Sequence, residues 1–118
     1  MAELQSDIEQ LAKEFTASQK VLLALGDENR QHLILEMMGM GHCGGSRVGA
    51  ITERTHLSRP AVSHHLQILK DAGILKVRKE GTKNYYYFDA DLEAMDQLIG
   101  MLQRARTIMA QLPDRSGM

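Results

Sequence analysis

A chain of 118 residues, 43% hydrophobic and 25% charged, has the size and composition of one globular domain. No apolar run approaches the roughly 18 residues of a membrane span, and the opening MAELQSDIEQ is acidic and amphipathic rather than a secretory leader. The single cysteine excludes an intramolecular disulfide framework, and together these features favour a cytoplasmic protein with no membrane partner.

The net charge of −1 conceals an asymmetry. Residues 1–29 carry six acids against two bases, a balance of −4. Residues 54–83 carry Arg54, Arg59, Lys70, Lys76, Arg78, Lys79 and Lys83 against Asp71 and Glu80, a balance of +5. Residues 89–118 return to −2. Attraction to phosphate depends on local potential, so the central segment matters more than the total. Taken alone, the same charges fit an ordinary solvated face.

In chain order, Leu4, Ile8, Leu11 and Phe15 recur at helical spacing and predict an amphipathic helix over about 3–17. Val21, Leu22 and Leu25 continue into a second helix that stops at Gly26. Asp27 is a suitable N-cap for a third, with Leu33, Ile34, Met37 and Met38 on its buried side. Gly39, Gly41, Gly44 and Gly45 then predict a loop. A short helix from about Val48 to Thr55 is anchored by Val48 and Ile51. Ser58 is the N-cap candidate of the next helix, with Pro60 in its first turn, where a missing N–H costs nothing. Val62, Leu66 and Leu69 form its apolar line, and Gly73 ends it.

Ile74–Lys79 and Asn84–Phe88 read as two strands around the Glu80-Gly81 turn. Asp89 is the expected cap of a final helix over about 90–111, which carries Leu92, Met95, Leu98, Ile99, Leu102, Ile108 and Met109. The fold class expected is therefore mainly α with a small β-hairpin: a helix-turn-helix over about 48–72, a wing over about 74–88, and terminal helices on either side. Residues 1–112 form a single domain in this reading, and 113–118 a flexible tail.

A recognition helix reads base edges in the major groove through residues near its N-terminus. Projecting Ser58–Asp71 at 100° per residue places His64 nearly opposite the core line, beside Pro60, Gln67 and Asp71. His65 falls on the flank as a boundary packing residue. Adjacent histidines on a helix do not share one metal ion readily, because ligand pairs favour i,i+3 or i,i+4 spacing. The candidate DNA contacts on this helix are Ser58, Arg59, Pro60, Ser63, His64, Gln67 and Lys70, and those on the wing are Arg78, Lys79 and Lys83. The alternatives are a cap alone for Ser58, an exposed histidine without a partner for His64, and a plain charged hairpin tip for the wing.

Catalysis finds no support. Cys43 beside His42 is the one nucleophile–base pair, without a third orienting group, and no phosphate loop or dinucleotide fingerprint appears. No cofactor is evident. A protein-interaction module on the same scaffold is the competing class, and the basic centre favours DNA over it.

The stretch HLSRPAVSHHLQILKDAGILKVRKEGTKNYYYFD resembles the helix-turn-helix and wing of the ArsR/SmtB family of bacterial transcriptional regulators. ALGDENRQHLILEMM is similar to the family's preceding helix, where A-L-x-D-x-x-R is usual. The resemblance covers roughly residues 18–90. It implies a homodimer that binds double-stranded DNA at an inverted-repeat operator and represses transcription. The first and last helices would then form the dimer interface, through Leu4, Ile8, Leu11, Phe15, Leu92, Met95, Ile99, Leu102 and Met109.

The chain departs from the family's metal sensors. It has no C-x-C pattern, and its final helix has no histidine or cysteine. What remains is His42 and Cys43 in GMGHCGGSR, two weak metal candidates on a glycine loop. Cys43 is also a candidate thiol sensor of oxidants or reactive sulfur, and the plainest reading is a mobile connection with an incidental cysteine.

Overall fold

The computed structural model describes residues 2–41 and 44–113. Six helices and one hairpin follow in the order α1 (Ala2–Ala17), α2 (Gln19–Leu25), α3 (Glu28–Met40), α4 (Val48–Thr52), α5 (Arg59–Asp71), β1 (Leu75–Glu80), β2 (Lys83–Phe88) and α6 (Glu93–Gln111). This is the mainly helical winged helix-turn-helix expected from the sequence.

Local chemistry sets most of the boundaries. Asp27 accepts a hydrogen bond from the Arg30 backbone N–H at 3.1 Å and opens α3. Ser58 does the same for α5 through the Ala61 N–H at 3.3 Å. α5 ends in a Schellman turn: Gly73, at φ 81, donates to the Lys70 carbonyl, and Ile74 donates to the Leu69 carbonyl, each at 3.0 Å. That turn reverses the chain directly into β1.

The core lies between α2, α3, α4, α5 and the hairpin base. Leu33, Ile51, Val62, Leu66 and Leu69 have no exposed surface, and Leu75 and Tyr86 close the side toward the wing. Leu98 and Met101 bring α6 onto the same core. α1 lies along α6 and is clipped to it by Arg104, whose Nε donates to Glu14 Oε1 at 2.6 Å and whose Nη1 lies 3.8 Å from Asp7 Oδ1. The molecule measures 57 × 29 × 22 Å, with a radius of gyration of 18.2 Å. A compact chain of this length would have about 13–14 Å, so the terminal helices project.

Five local expectations are corrected. α3 continues through Gly39 to Met40 and stops at Gly41, whose φ of 64 supplies the left-handed cap. Met38 faces outward, because the buried stripe of α3 follows Leu33 and Met37. α4 ends at Thr52 rather than Thr55; the Thr55 hydroxyl instead bonds the Thr52 carbonyl and the Leu57 N–H, which shapes the turn into α5. α6 begins at Glu93, and Asp89 does not cap it: its carboxylate accepts from the Asp91 N–H at 2.9 Å and faces Lys76 at 3.4 Å. Leu92 leads into α6 at φ 57, a left-handed conformation that a bulky side chain rarely adopts. Finally, Ser46 forms a third, one-residue strand, exchanging two 2.8 Å hydrogen bonds with Tyr86.

Candidate nucleic-acid interface

α5 is amphipathic in the way a groove-reading helix must be. Val62, Leu66 and Leu69 seat it fully on the core, so its opposite face is fixed in direction. Ser58, Arg59, Pro60, His64, Gln67 and Lys70 are exposed on it, and Ser63 is half-buried. The Gln67 amide donates to Asp71 Oδ1 at 2.9 Å, an i,i+4 pair along the exposed face. The Arg59 guanidinium reaches back toward α4, lying 4.0 Å from where a side chain on Gly49 would begin.

The hairpin register runs from Leu75↔Phe88 at the base to Glu80↔Lys83 at the tip. Gly81, at φ 62, opens the two-residue loop. Side chains alternate between the two faces of the hairpin. Leu75 and Val77 therefore face the core with Tyr86 and Phe88, while Tyr85 and Tyr87 share the other face with Lys76 and Arg78. By the same alternation Lys79 and Lys83 lie on opposite faces, so the three wing cations do not form one patch.

Arg78 is engaged within the chain. Its Nη2 donates to the Gly44 carbonyl at 2.8 Å, its Nη1 pairs with the Glu80 carboxylate, and its guanidinium lies 4.8 Å from the Tyr85 ring centre. Lys79 and Lys83 are exposed, with no ion pair among the described residues. On position alone they are the freer of the wing candidates.

Behind the recognition helix is a contact that the sequence pattern did not reveal. Arg30 of α3 spreads its guanidinium across two helices. Nε donates to the Ala24 carbonyl and Nη2 to the Leu23 carbonyl, both at 2.8 Å, satisfying the open C-terminal end of α2. Nη1 lies 3.2 Å from Nδ1 of His65. A guanidinium only donates, so His65 accepts through a neutral ring. Burial holds the His65 pKa below the ordinary histidine value; the Arg30 and His64 charges act in the same direction, and Asp27 opposes them. His65 is thus a half-buried seam residue, as the projection indicated, while His64 points away. The signal for Arg30 was present only in the spacing of Asp27 and Arg30 within GDENR, which carries no physical meaning until α2 and α5 are in place.

Of the residues assigned to a dimer interface, Leu11 and Met95 pack partly against the chain's own core, and Leu4 is half-buried. Ile8, Phe15, Leu92, Ile99, Leu102 and Met109 are exposed, the last at 70%. His42 and Cys43 lie outside the described residues. Among the described residues no group of three or more His, Cys, Asp or Glu could hold a metal ion, and no helix is long and apolar enough to cross a membrane. An apolar hollow of about 270 Å³ lies where α2, α3, β2 and α6 meet, and Asp89 is the one ionisable residue among its walls. It offers no convergent acid, base and nucleophile.

Comparison with known proteins agrees with this geometry. The profile described as "Bacterial regulatory protein, arsR family" matches residues 44–77, the span from the Ser46 bridge through α5 into β1. The uncharacterized HTH-type transcriptional regulator MJ1325 of Methanocaldococcus jannaschii is 38% identical over 79 residues, covering 67% of this chain and 85% of that protein. The transcriptional repressor SdpR of Bacillus subtilis is 33% identical over 66 residues, covering 56% and 69%.

Among solved structures, the ArsR family transcriptional regulator RHA00566 superposes with a TM-score of 0.67 at 15% identity, covering 83% of this chain and 95% of that one. The homodimeric winged helix-turn-helix DNA-binding domain Mb0332 of Mycobacterium bovis does so at 0.51 and 21%, covering 97% and 93%. At those identities the structures establish the fold, and the sequence relatives are transcriptional regulators rather than enzymes. The chain belongs to the ArsR family of helix-turn-helix transcriptional regulators.

Proposed function

We propose that the protein is a homodimeric repressor that binds an inverted-repeat operator in double-stranded DNA, places the N-terminal half of α5 in the major groove and lays the wing against flanking backbone. The observation that carries this reading is the elongated shape. α1 and α6 project from a closed core and present Ile8, Phe15, Ile99, Leu102 and Met109 to solvent. Large apolar side chains grouped on projecting helices mark an association surface. A second copy docked there through a two-fold axis would set two recognition helices against grooves about one DNA turn apart. Repression is supported by the relative named a transcriptional repressor, and dimerisation by the homodimeric neighbour.

Within this arrangement Ser58, Arg59, Pro60, Ser63, His64 and Gln67 contact bases or adjacent phosphates, while Lys70, Lys79 and Lys83 supply charge to the backbone. Arg78 acts from within the wing, holding the Gly44 carbonyl and the Tyr85 ring in place. No cofactor is required for these contacts.

The test combines sedimentation with footprinting on the DNA upstream of the protein's own gene. A dimer at micromolar concentration, protecting two symmetric half-sites about 10 base pairs apart centre to centre, is the expected result. A monomer protecting a single half-site, or equal affinity for operator and random DNA at moderate salt, would overturn the reading.

A further inference from the structure

The Arg30 fork joins three helices at one point. It closes α2 through the carbonyls of Leu23 and Ala24, belongs to α3, and touches α5 at His65. His65 precedes Leu66, which has no exposed surface, and follows His64, whose ring centre lies 5.9 Å away. Val62, Leu66 and Leu69 seat α5 on the core, and the one side-chain hydrogen bond among the described residues that ties α5 to α3 ends on Nδ1 of His65. We infer that Arg30 and His65 form a proton-sensitive latch that positions the recognition helix, so that operator binding weakens in mildly acidic solution. This rests on the operator-binding reading above and adds a regulation to it. Both are positioning residues and touch no DNA.

The chemistry of release is simple. A proton from solvent adds to the Nδ1 lone pair, the same pair that accepts the Arg30 Nη1–H. The ring becomes a cation with N–H groups on both nitrogens, so a donor now faces a donor. The ionisable groups around it are Asp27 from the α2–α3 link, Arg30 from α3 and His64 from α5 itself. Two are cationic or can become so. The single anion, Asp27, already accepts the Arg30 backbone N–H. Protonation of Nδ1 therefore removes the acceptor of the Arg30 Nη1–H, and the hydrogen bond from α3 to α5 is lost although Asp27 favours the charged ring.

The sign follows from where the proton binds. The folded protein takes up this proton less readily than the unfolded chain, because burial and Arg30 disfavour the charged ring. The latch is intact above the ordinary histidine value and is lost as pH falls through the lower, folded value.

The experiment measures anisotropy of a labelled operator duplex at fixed ionic strength from pH 7.5 to 5.5, with thermal unfolding followed at each pH. The wild type should lose affinity by about ten- to a hundredfold, the scale of one hydrogen bond to a charged group. His65→Asn, whose side-chain oxygen accepts from Arg30 but does not titrate, should keep its pH 7.5 affinity within about twofold and give a flat profile. An acid loss in His65→Asn equal to that of the wild type overturns the latch, as does a wild type that holds or gains affinity in acid.

Should His65→Asn fold poorly, nitrogen NMR of the wild type decides instead: Nδ1 of His65 must be unprotonated at pH 7.5, and a proton on it overturns the latch. Absence of specific binding by the wild type at pH 7.5 removes the operator reading and the latch's role in it. Specific binding that acid leaves unchanged removes the latch alone.

Discussion

Val62, Leu66 and Leu69 of α5 have no exposed surface, whereas α1, a longer helix with its own apolar stripe, fully buries none of its described residues. α6 shows both behaviours on one element: Leu98, Met101 and Ile108 turn inward, while Ile99, Leu102 and Met109 face solvent. The difference is one of what each region needs. The helix-turn-helix and wing close over a shared core and hold their own geometry. The terminal pair is held together by Arg104 with Glu14 and Asp7 and still offers an apolar surface outward. Stability of the helix-turn-helix and wing, and the proposed assembly of two copies, therefore fall to different residues and can be attacked separately.

Leu69→Ala strikes the closed half and should have the largest effect. Removing a fully buried leucine costs about 3 kcal/mol, read as a lower urea midpoint at unchanged slope; a loss within experimental error would mean that the core is not where the structure places it. Ile99→Glu strikes the open half. It should raise the dimer dissociation constant by about thirty- to a hundredfold, the scale of a central interface residue, with the circular dichroism of the folded protomer retained. Loss of helical signal together with dimerisation would show that the two regions are not separable.

Within the reading unit the effects are smaller and differ in kind. His64→Ala should lower operator affinity by about tenfold and relax discrimination at one base position, as expected for one lost base contact. Lys79→Ala should weaken binding to every sequence by about threefold and reduce the salt slope by about one, because the proposed complex sets the wing lysine against phosphate. Identical selectivity changes in both variants would erase the distinction between helix and wing.

Legibility in the sequence followed the same division. α5 was readable because several signals agree: Ser58 caps, Pro60 sits in the first turn, Val62, Leu66 and Leu69 keep period, and Gly73 stops the helix. The hairpin was readable from alternation around Gly81. What escaped were features with no local period. The Ser46 bridge is a single residue following Gly44 and Gly45, paired with Tyr86 across the chain. Gly45 next to it is required because a side chain there would begin 2.9 Å from the Tyr86 carbonyl oxygen.

Asp89 has the chemistry of a helix cap, but Lys76 lies across the hairpin base from it, and the chain takes another turn before α6 begins. Arg30 reaches 35 positions along the chain to His65, a link that exists only once three helices are packed. The α5 residues proposed to touch DNA follow from helical projection and those of the wing from the charged hairpin tip, and all but half-buried Ser63 lie on exposed surface.

The Ser46–Tyr86 bridge also sets the reach of the wing. It grips the hairpin at the Val77↔Tyr86 rung and leaves three rungs beyond it, Arg78↔Tyr85, Lys79↔Asn84 and Glu80↔Lys83. At about 3.3 Å per residue that overhang is about 10 Å long, a short stiff finger rather than an arm. Its length is a ruler: two residues added to each strand would advance the tip by about 6.6 Å, close to the rise of two base pairs. The flanking position that such a regulator touches would thus be set by strand length, independently of what α5 reads.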